Sequence, residues 1–376
     1  MKRYILLLLI VLETFQKSDV YFTKEITSEK IVEMFKKLNV KLEGNIGLKV
    51  HTGEQNGPYY LRPHFLENIY NYTKGTFIEC NTAYESGVRH LTSLHKQLLE
   101  WNGWTKYKTV IMDEEDNTDL TLKVEKPNNI SENYVGAKLK DFNSCLVLAH
   151  FKGHPMGGFG GSMKQLSIGF ASRAGKSHIH SGGFTQNYTQ CWDHEAEQLD
   201  FTAAMADAAS TIVKYFKDRG GIAYINVLAN ISKVCDCGGV QAPPPRVRDI
   251  GILASTDPIA IDKACYDLIV KENTDGSKDW VDQAETLLGL NTLKVGEKIG
   301  LGSLDYNLID VDKEEKDLWY VWYLIIPIGS LIIILIIVAI IYFAFIKGKN
   351  KKIEREEESE NENDNMLGEA VISRAE

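Results

Sequence analysis

The sequence has no excess of positive charge, since 42 Lys and Arg residues stand against 51 Asp and Glu residues, for a formal net charge of −9 at pH 7. Before residue 347 it also lacks any stripe of Lys and Arg, which phosphate recognition requires, so we expect no nucleic-acid partner. Proline is scarce, with 9 residues, and its only cluster, at 243–245, is too short for an interdomain linker. Because no internal repeat is visible either, we predict a single folded domain over residues 19–312.

Charged residues are absent from positions 318–346. At about 1.5 Å per residue, the apolar run in this segment is long enough for a helix to cross the ~30 Å hydrocarbon layer of a bilayer. The residues that follow are basic, as is typical of cytosolic flanks: Lys347, Lys349, Lys351, Lys352 and Arg355. We therefore predict a transmembrane helix at 318–346, with the lipid bilayer as partner. The acidic segment 347–376 is then a cytosolic tail with too little apolar surface to fold.

The first 18 residues follow the order of a secretory signal peptide: Lys2 and Arg3, then the apolar run 4–12, then polar residues. This run is too short to span a bilayer. The alternative to a signal peptide is a buried N-terminal strand or helix. With cleavage near Ser18, the chain becomes a single-pass type I membrane protein whose domain is extracellular or luminal. That domain carries four N-x-S/T sequons, at Asn71, Asn129, Asn187 and Asn230.

Short apolar runs alternate with helical stretches between residues 28 and 310, which predicts an α/β fold with helices on both faces of a largely parallel sheet. The predicted strands are 46–51, 76–80, 109–112, 144–149, 221–228 and 249–254. The predicted helices are 28–38, 87–102, 161–171, 198–218 and 257–271. In the last of these, Asp257 suits the N-cap and Pro258 the first helical position.

Six cysteines lie in this domain: Cys80, Cys145, Cys191, Cys235, Cys237 and Cys265. They allow up to three disulfides in fifteen connectivities. One residue separates Cys235 from Cys237, and this spacing strains a disulfide between them. The two thiols therefore suit metal binding, redox exchange or pairing with other cysteines. Buried thiols or ordinary disulfides are the alternative for all six.

The stretch 145–176 has the composition of a ligand site. An apolar strand ends at His150, a glycine-rich turn follows, and a helix then begins. In an open α/β sheet this junction forms the usual ligand crevice, where free N–H groups at the helix N-terminus attract anions. We therefore expect a cofactor to contact the glycines of the turn: Gly157, Gly158, Gly160 and Gly161.

Polar side chains of this stretch and of one later segment suit a metal centre with a small anionic ligand. The imidazoles of His150 and His154 suit a transition metal, and Cys235 and Cys237 would complete its ligand shell. The cations that would hold an anionic substrate and act in catalysis are Lys152, Lys164, Arg173 and Lys176. The alternatives are loop histidines held by backbone carbonyls and ordinary surface cations. A P-loop is excluded, because five residues rather than four separate the glycines that bound 169–175.

Four segments resemble the family called domain of unknown function 362, often described as uncharacterised iron–sulfur-centre proteins. They begin at Lys49 (KVHTGEQNGPYYLRP), His150 (HFKGHPMGGFGGSMKQLSIGFASRAGK), Cys235 (CDCGG) and Asp249 (DIGILASTDPIAIDKA), and together they reach from residue 47 to about 305. The resemblance implies that any retained function lies among the polar residues of the shared core: His51, His150, Lys152, His154, Lys164, Arg173, Lys176, His180, Cys235 and Cys237.

Many members of that family insert a ferredoxin-like module, with two C-x-x-C-x-x-C-x-x-x-C runs, after the segment that matches His180. This chain has only residues 181–197 there, with Cys191 alone, so we predict no iron–sulfur cluster. The segment from His150 is also similar, at a different spacing, to the His and Gly-Gly-Lys segment of nickel-dependent lactate racemases. That similarity would place a cofactor or metal near His150, His154 and Lys164.

Two functions fit these observations. The first is a metal-dependent ectoenzyme or redox protein that acts on a small anionic ligand. The second is a surface binding or adhesion protein that reuses the scaffold without catalysis, since fold does not fix function. Alanine at His150 and His154 separates them, because adhesion would survive that change.

Overall fold

The computed structural model describes residues 17–85, 87–114 and 119–372. Most of the predicted signal peptide, residues 1–16, lies outside this range. Contacts divide the chain into two units, with the boundary between Asp312 and Lys313. The first unit contains the α/β domain, and the second contains most of one long helix.

The described residues of the domain form twelve strands. They are β1 (Ser18–Thr23), β2 (Ile46–Lys49), β3 (Thr76–Glu79), β4 (Thr109–Ile111), β5 (Leu120–Lys123), β6 (Glu132–Val135), β7 (Ser144–His150), β8 (Lys152–His154), β9 (Gly158–Gly160), β10 (Ile222–Leu228), β11 (Gly251–Ser255) and β12 (Tyr306–Asp310). Eight of them form one sheet in the order β12-β1-β11-β10-β7-β2-β3-β4. Strands β10, β7, β2, β3 and β4 are parallel, as are β1 and β12, whereas β11 is antiparallel to both of its neighbours. This arrangement confirms the largely parallel sheet.

The helices connect and cover these strands. In chain order they are α1 (Ser28–Lys37), α2 (Glu67–Thr73), α3 (Thr92–Trp101), α4 (Ser162–Lys164), α5 (Arg173–His180), α6 (Gln198–Lys217), α7 (Pro258–Glu272), α8 (Asp275–Thr286), α9 (Gly289–Lys298) and α10 (Val311–Ile372). Short 3₁₀ turns cover Pro63–Leu66, Trp104–Lys106, Ala137–Asp141, Tyr188–Gln190 and Asp236–Gln241. Helix α4 continues as a π-helical turn over Gln165–Gly169, so the regular helix predicted at 161–171 is a short α/π element instead.

The sheet has a buried core on each face. All seven residues of β7 are buried, which is typical of an interior parallel strand. Because successive side chains point to opposite faces, Val147 packs in the core that contains residues of α6 and α7. Leu146 packs in the other core, which contains residues of α1. Helices therefore cover both faces, as predicted.

Two strands that the sequence did not predict, β1 and β12, complete one side of the sheet. Strand β1 begins at Ser18, whose hydroxyl donates to the Asp257 carboxylate at 2.6 Å. The same carboxylate accepts hydrogen bonds from the amides of Ile259 and Ala260, which confirms Asp257 as the N-cap of α7. One buried side chain thus links the start of the domain to a helix far along the chain.

Helix α10 contains a segment, Ile328–Glu356, that is long and apolar enough to cross a membrane. This agrees with the apolar run predicted to span the bilayer. The helix continues to Ile372, so most of the acidic segment is helical, while its expected role as a cytosolic tail stays a prediction. An ion pair between Lys352 and Glu356 at 3.8 Å has the i,i+4 spacing that supports an exposed helix.

Candidate active site

A cavity of about 540 Å³ opens at the carboxyl edge of the parallel strands. Its wall includes His51, which follows β2 by two residues, Glu79, the last residue of β3, and His150, the last residue of β7. The loop after β10 contributes Cys235 and Cys237. Open α/β sheets bind their ligands at this edge.

Buried ion pairs border the cavity. The Lys49 ammonium donates to Glu79 Oε1 at 2.7 Å, and the Arg89 guanidinium donates to Glu54 Oε1 at 2.7 Å. Burial alone would raise the pKa of Glu79, but the charges of Lys49, His51 and Arg89 outweigh burial and lower this pKa. Glu79 therefore stays ionised and neutralises nearby cations instead of serving as an acid.

Asp236 joins two of the predicted site residues. Its carboxylate lies 3.0 Å from His150 Nδ1 and 2.8 Å from Lys152 Nζ. His150 Nε2 lies 2.6 Å from the carbonyl oxygen of Ala229, so both ring nitrogens face oxygen acceptors. No lone pair of His150 is then directed at a metal, and its predicted role as a metal ligand conflicts with these hydrogen bonds. Burial alone would raise the pKa of Asp236, but His150 and Lys152 together lower it.

The side chains of His154, Cys235 and Cys237 form a group, here called the His-Cys-Cys cluster. Each offers one ligand atom, and these atoms all lie within 4.8 Å of one another. Two sulfurs and one imidazole nitrogen suit a soft or borderline transition metal. Three protein ligands would leave a fourth coordination position open, as in catalytic zinc sites. The cluster could therefore hold a metal ion.

The surroundings of His154 determine which ring nitrogen carries a proton. The backbone N–H groups of Met156 and Gly157 donate to Nδ1 at 3.2 and 2.9 Å. Nδ1 is thus an acceptor, and the neutral ring has its proton on Nε2, where it can donate to the sulfur of Cys235. Burial and the charge of Lys164 lower the pKa of His154 to about 4, so the ring is neutral near pH 7. A metal at Nε2 would have to displace this proton, whereas most metal-bound histidines donate their second N–H to an acceptor.

The two cysteines of the cluster differ in acidity. A hydrogen bond from Cys237 lowers the pKa of Cys235 far below its usual value. Lys164, His154 and His51 act in the same direction, against the effect of burial. The same hydrogen bond, together with burial, raises the pKa of Cys237. The arrangement thus favours a Cys235 thiolate beside a Cys237 thiol.

Two lysines line the cavity with no carboxylate within ion-pair distance among the described residues. Lys164 is half-buried at the end of α4. Lys176 is buried on α5 and donates to the carbonyl oxygen of Ala171 at 2.5 Å. Two such ammonium groups suit an anionic ligand. Arg173 is buried too, but its guanidinium lies 3.7 Å from the ring centre of Tyr188 and does not line the cavity.

The N-terminus of α4 is already occupied by an anion of the chain itself. The Asp262 carboxylate accepts hydrogen bonds from the amides of Ser162 and Met163 at 2.8 and 2.9 Å. A Cβ atom on Gly161 would lie 2.5 Å from Asp262 Oδ1, so only glycine allows this approach. The expectation of free N–H groups at this helix end is therefore wrong.

The glycine-rich turn has a packing role in addition to any contact with a ligand. Gly160 and Gly161 line the cavity, whereas Gly157 and Gly158 do not. Gly158 has a φ of +76°, and a Cβ atom there would lie 2.7 Å from Gly289 Cα at the start of α9. Contact between a cofactor and these glycines stays a prediction. A ligand in the cavity could reach only Gly160 and Gly161.

All six cysteines lie among the described residues, and each is a free thiol. Those outside the His-Cys-Cys cluster are buried: Cys80, Cys145, Cys191 and Cys265. Of the alternatives left open by the sequence, the structure therefore has buried thiols rather than disulfides. Burial raises the pKa of these four thiols, which makes them unreactive.

Sequence reasoning gave no role to Glu79, Arg89 or Asp236. Glu79 ends a predicted strand, and Asp236 stands between the two cysteines, so position alone could have indicated both. Arg89 lies in a loop, and nothing in the sequence connects it to Glu54.

A family model described as "Domain of unknown function (DUF362)" matches residues 46–267, more than half of the chain. The comparison with curated proteins found no match. Similar solved structures include a protein from Thermotoga maritima, with 11% identity and a TM-score of 0.37 over 72% of this chain and 59% of that one. Another is the lactate racemase apoprotein from Thermoanaerobacterium thermosaccharolyticum, with 11% identity and a TM-score of 0.33 over 56% of this chain and 50% of that one. The chain thus spans between half and three fifths of their length, and at these TM-scores nothing about chemistry follows.

Proposed function

This chain belongs to the DUF362 family, and we propose that it is a membrane-anchored metal-dependent enzyme or redox protein acting on a small anionic ligand. The observation that carries the proposal is the convergence of His154, Cys235 and Cys237 in a cavity that is also lined by Lys164 and Lys176. Atoms that can bind a metal and positive charges that can bind an anionic substrate therefore line the same cavity.

The metal would be held by the two sulfurs of the His-Cys-Cys cluster and by His154 Nε2, which would require the ring proton to move to Nδ1 and the two amide hydrogen bonds at Nδ1 to break. A bound ion of this kind polarises a carbonyl or phosphoryl oxygen at its open position. Lys164 would pair with the anionic group of the substrate and so orient it towards the cluster, with the Lys176 side chain in the same cavity. Asp236 keeps Lys152 fixed at the cavity wall through their 2.8 Å ion pair, which leaves Lys152 less able to bind an anion itself.

Elemental analysis of the full-length protein in detergent micelles tests the metal proposal. We expect about one equivalent of a transition metal to remain bound after reconstitution and gel filtration. C235S and C237S should each lose most of it, whereas C191S, which removes a buried thiol outside the cluster, should retain it. Less than about a tenth of an equivalent in the wild type, before and after reconstitution, would defeat the proposal.

A second candidate, metal-free thiol chemistry, is favoured by the hydrogen bonds at His154. Because Nδ1 accepts two amide hydrogens, Nε2–H is left to stabilise a Cys235 thiolate. In chelator-treated protein, this candidate predicts that iodoacetamide modifies Cys235 faster than every other cysteine, with the four separately buried thiols as internal controls. Equal labelling of Cys235 and Cys237 would speak against it.

We propose type I topology for the chain, with the α/β domain extracellular or luminal. The apolar segment of α10 and the basic residues after it support this orientation. The start of β1 at Ser18 is consistent with a signal peptide that ends just before the first strand. Protease treatment of intact microsomes tests the proposal, because a tag inserted near residue 100 should be protected and a C-terminal tag should be removed. Removal of the first tag would refute it.

A further inference from the structure

Lys176 is a buried lysine with no carboxylate within ion-pair distance among the described residues. Its exposed fraction is 6%, and its Nζ atom has one hydrogen bond, to the carbonyl oxygen of Ala171 at 2.5 Å. The other buried lysines beside this cavity are paired: Lys49 with Glu79 at 2.7 Å and Lys152 with Asp236 at 2.8 Å. Lys176 thus differs from them in making no ion pair within the described part of the chain.

The surroundings of Lys176 make its ammonium group easier to deprotonate than that of an exposed lysine. Burial lowers its pKa and the charge of Lys49 adds to this effect, while Cys80, Asp113 and Glu79 oppose it without reversing the direction. Cys80 itself donates from its sulfur to the carbonyl oxygen of Phe170 at 3.4 Å, so its thiol is occupied beside the amine. A desolvated lysine next to other cations is a recognised form of activated nucleophile.

His180 lies one helical turn after Lys176 on α5 and lines the same cavity. Its ring stacks on Phe201 at a centroid distance of 4.8 Å and meets Trp192 edge-on at 5.3 Å, so its orientation is fixed. Its Nδ1 atom is buried without a hydrogen-bond partner in the part of the chain that the structure describes. Burial, with the charges of His154, Lys164 and Lys176, lowers the pKa of His180 to about 3, which leaves a neutral imidazole. Its Nδ1 atom can therefore accept a hydrogen bond from a ligand in the cavity.

We infer that Lys176 is a catalytic nucleophile that forms an imine with a small aldehyde or ketone bearing an anionic group, such as an oxo acid. The inference rests on the proposed anion site, because Lys164 would pair with the anionic group and bring the carbonyl carbon near Lys176. The cavity of about 540 Å³ has room for a ligand of this size.

The step balances with the groups present. The lone pair of Lys176 Nζ forms a C–N bond to the carbonyl carbon, and the oxygen takes a proton while nitrogen loses one, which gives a carbinolamine. Protonation of its hydroxyl and departure of water break the C–O bond and leave a protonated imine. The proton that the hydroxyl takes up comes from solvent, the water that leaves returns to solvent, and no oxidant or reductant is needed.

Reductive trapping tests the inference directly. The full-length protein in detergent micelles, treated with a chelator, is incubated with glyoxylate and cyanoborohydride, digested and mapped by mass spectrometry. We expect the reduced adduct at Lys176 to form on the order of tenfold faster than at exposed lysines such as Lys278, because binding raises the local concentration of the aldehyde. Oxalate, which carries charge but no reactive carbonyl, should slow the reaction at Lys176 alone.

Two variants complete the test. K176R keeps the positive charge and removes the nucleophile, so the site-specific adduct should vanish while oxalate still binds. K164Q removes the charge that holds the anionic group, so trapping at Lys176 should slow towards the rate at Lys278, and an unchanged rate would exclude this role for Lys164. Labelling of wild-type Lys176 no faster than Lys278 would overturn the inference, and this result needs no variant to fold. If protein that was not treated with chelator nevertheless binds metal and oxalate, the proposed function survives and only the imine is refuted.

Discussion

Asp236→Asn removes the charge at the centre of the best-defined polar contact in the cavity wall. The Asp236 carboxylate is 4% exposed and lies 2.8 Å from Lys152 Nζ and 3.0 Å from His150 Nδ1. Asparagine keeps the volume and one oxygen acceptor, but it leaves the buried Lys152 ammonium without a balancing charge.

The loss of one partner of a buried ion pair costs about 3–5 kcal/mol in the free energy of unfolding. For a domain of roughly 300 residues, this corresponds to a melting temperature about 5–8 °C lower. Asp279→Asn provides the matched control, because Asp279 pairs with Lys233 at 2.6 Å with 37% and 40% of the two side chains exposed. Exposed pairs contribute about 0–1 kcal/mol, so this control should melt within about 2 °C of the wild type.

The difference in melting temperature between the wild type and D236N should depend on pH in one direction. Lys152 and His150 lower the folded-state pKa of Asp236, so its contribution is fully present above the unfolded pKa of about 4. This contribution is lost as the pH falls below that value towards the folded-state pKa. The melting temperatures of wild type and D236N should therefore differ at pH 7 and converge as the pH is lowered below 4.

Thermal unfolding followed by near-ultraviolet circular dichroism, on full-length protein in one detergent, measures these quantities. D236N and D279N have the same change in net charge, so general electrostatic effects cancel in the comparison. Equal melting temperatures for the two variants at pH 7 would refute the assignment of Asp236 as the balancing charge of Lys152.

Three further predictions concern the anion, the turn and the topology. K164Q should weaken oxalate binding, measured by calorimetry, by roughly tenfold because a charge-assisted contact is lost, while K278Q should leave it unchanged; equal affinities would exclude Lys164 from the anion site. G161A should lower the free energy of unfolding by about 2–3 kcal/mol, since its methyl group would clash with Asp262, and a melting temperature like that of wild type would contradict the geometry. Glycan mapping after expression in a eukaryotic secretory system tests the topology, because a luminal domain receives N-linked glycans at its sequons and a complete absence of glycans would contradict a luminal domain. The exposed sequons should be occupied: Asn71, Asn187 and Asn230.

Local sequence patterns predicted the sheet well because its interior strands are continuous apolar runs. Strand β7 was expected at 144–149 and occupies Ser144–His150, and the Asp257 cap of α7 was expected from the Ser-Thr-Asp-Pro order. Strand β1 was missed because its residues adjoin the apolar signal segment, and the antiparallel direction of β11 depends on long-range pairing that no local pattern encodes.

Only part of the candidate site was predicted, because local spacing shows which residues lie near the glycine-rich turn but not which distant residues contact them. Proximity to the glycine-rich turn correctly pointed to His154, Lys164 and Lys176 as residues that line one cavity. The sequence could not assign His150 its hydrogen bonds, because its partner Asp236 is 86 residues away and is aligned only by the register of β7 with β10. Arg173 was also predicted at the site, but its guanidinium packs on the ring of Tyr188 and does not line the cavity.

The absorption spectrum of the cobalt-substituted full-length protein tests the metal site most directly, because thiolate-to-cobalt charge transfer reports the number of sulfur ligands. We predict a band of two-thiolate intensity in the wild type, about half that intensity in C235S and in C237S, and no change in C191S. Absence of a thiolate band in the wild type, or an unchanged band in C235S, would contradict a metal centre at His154, Cys235 and Cys237.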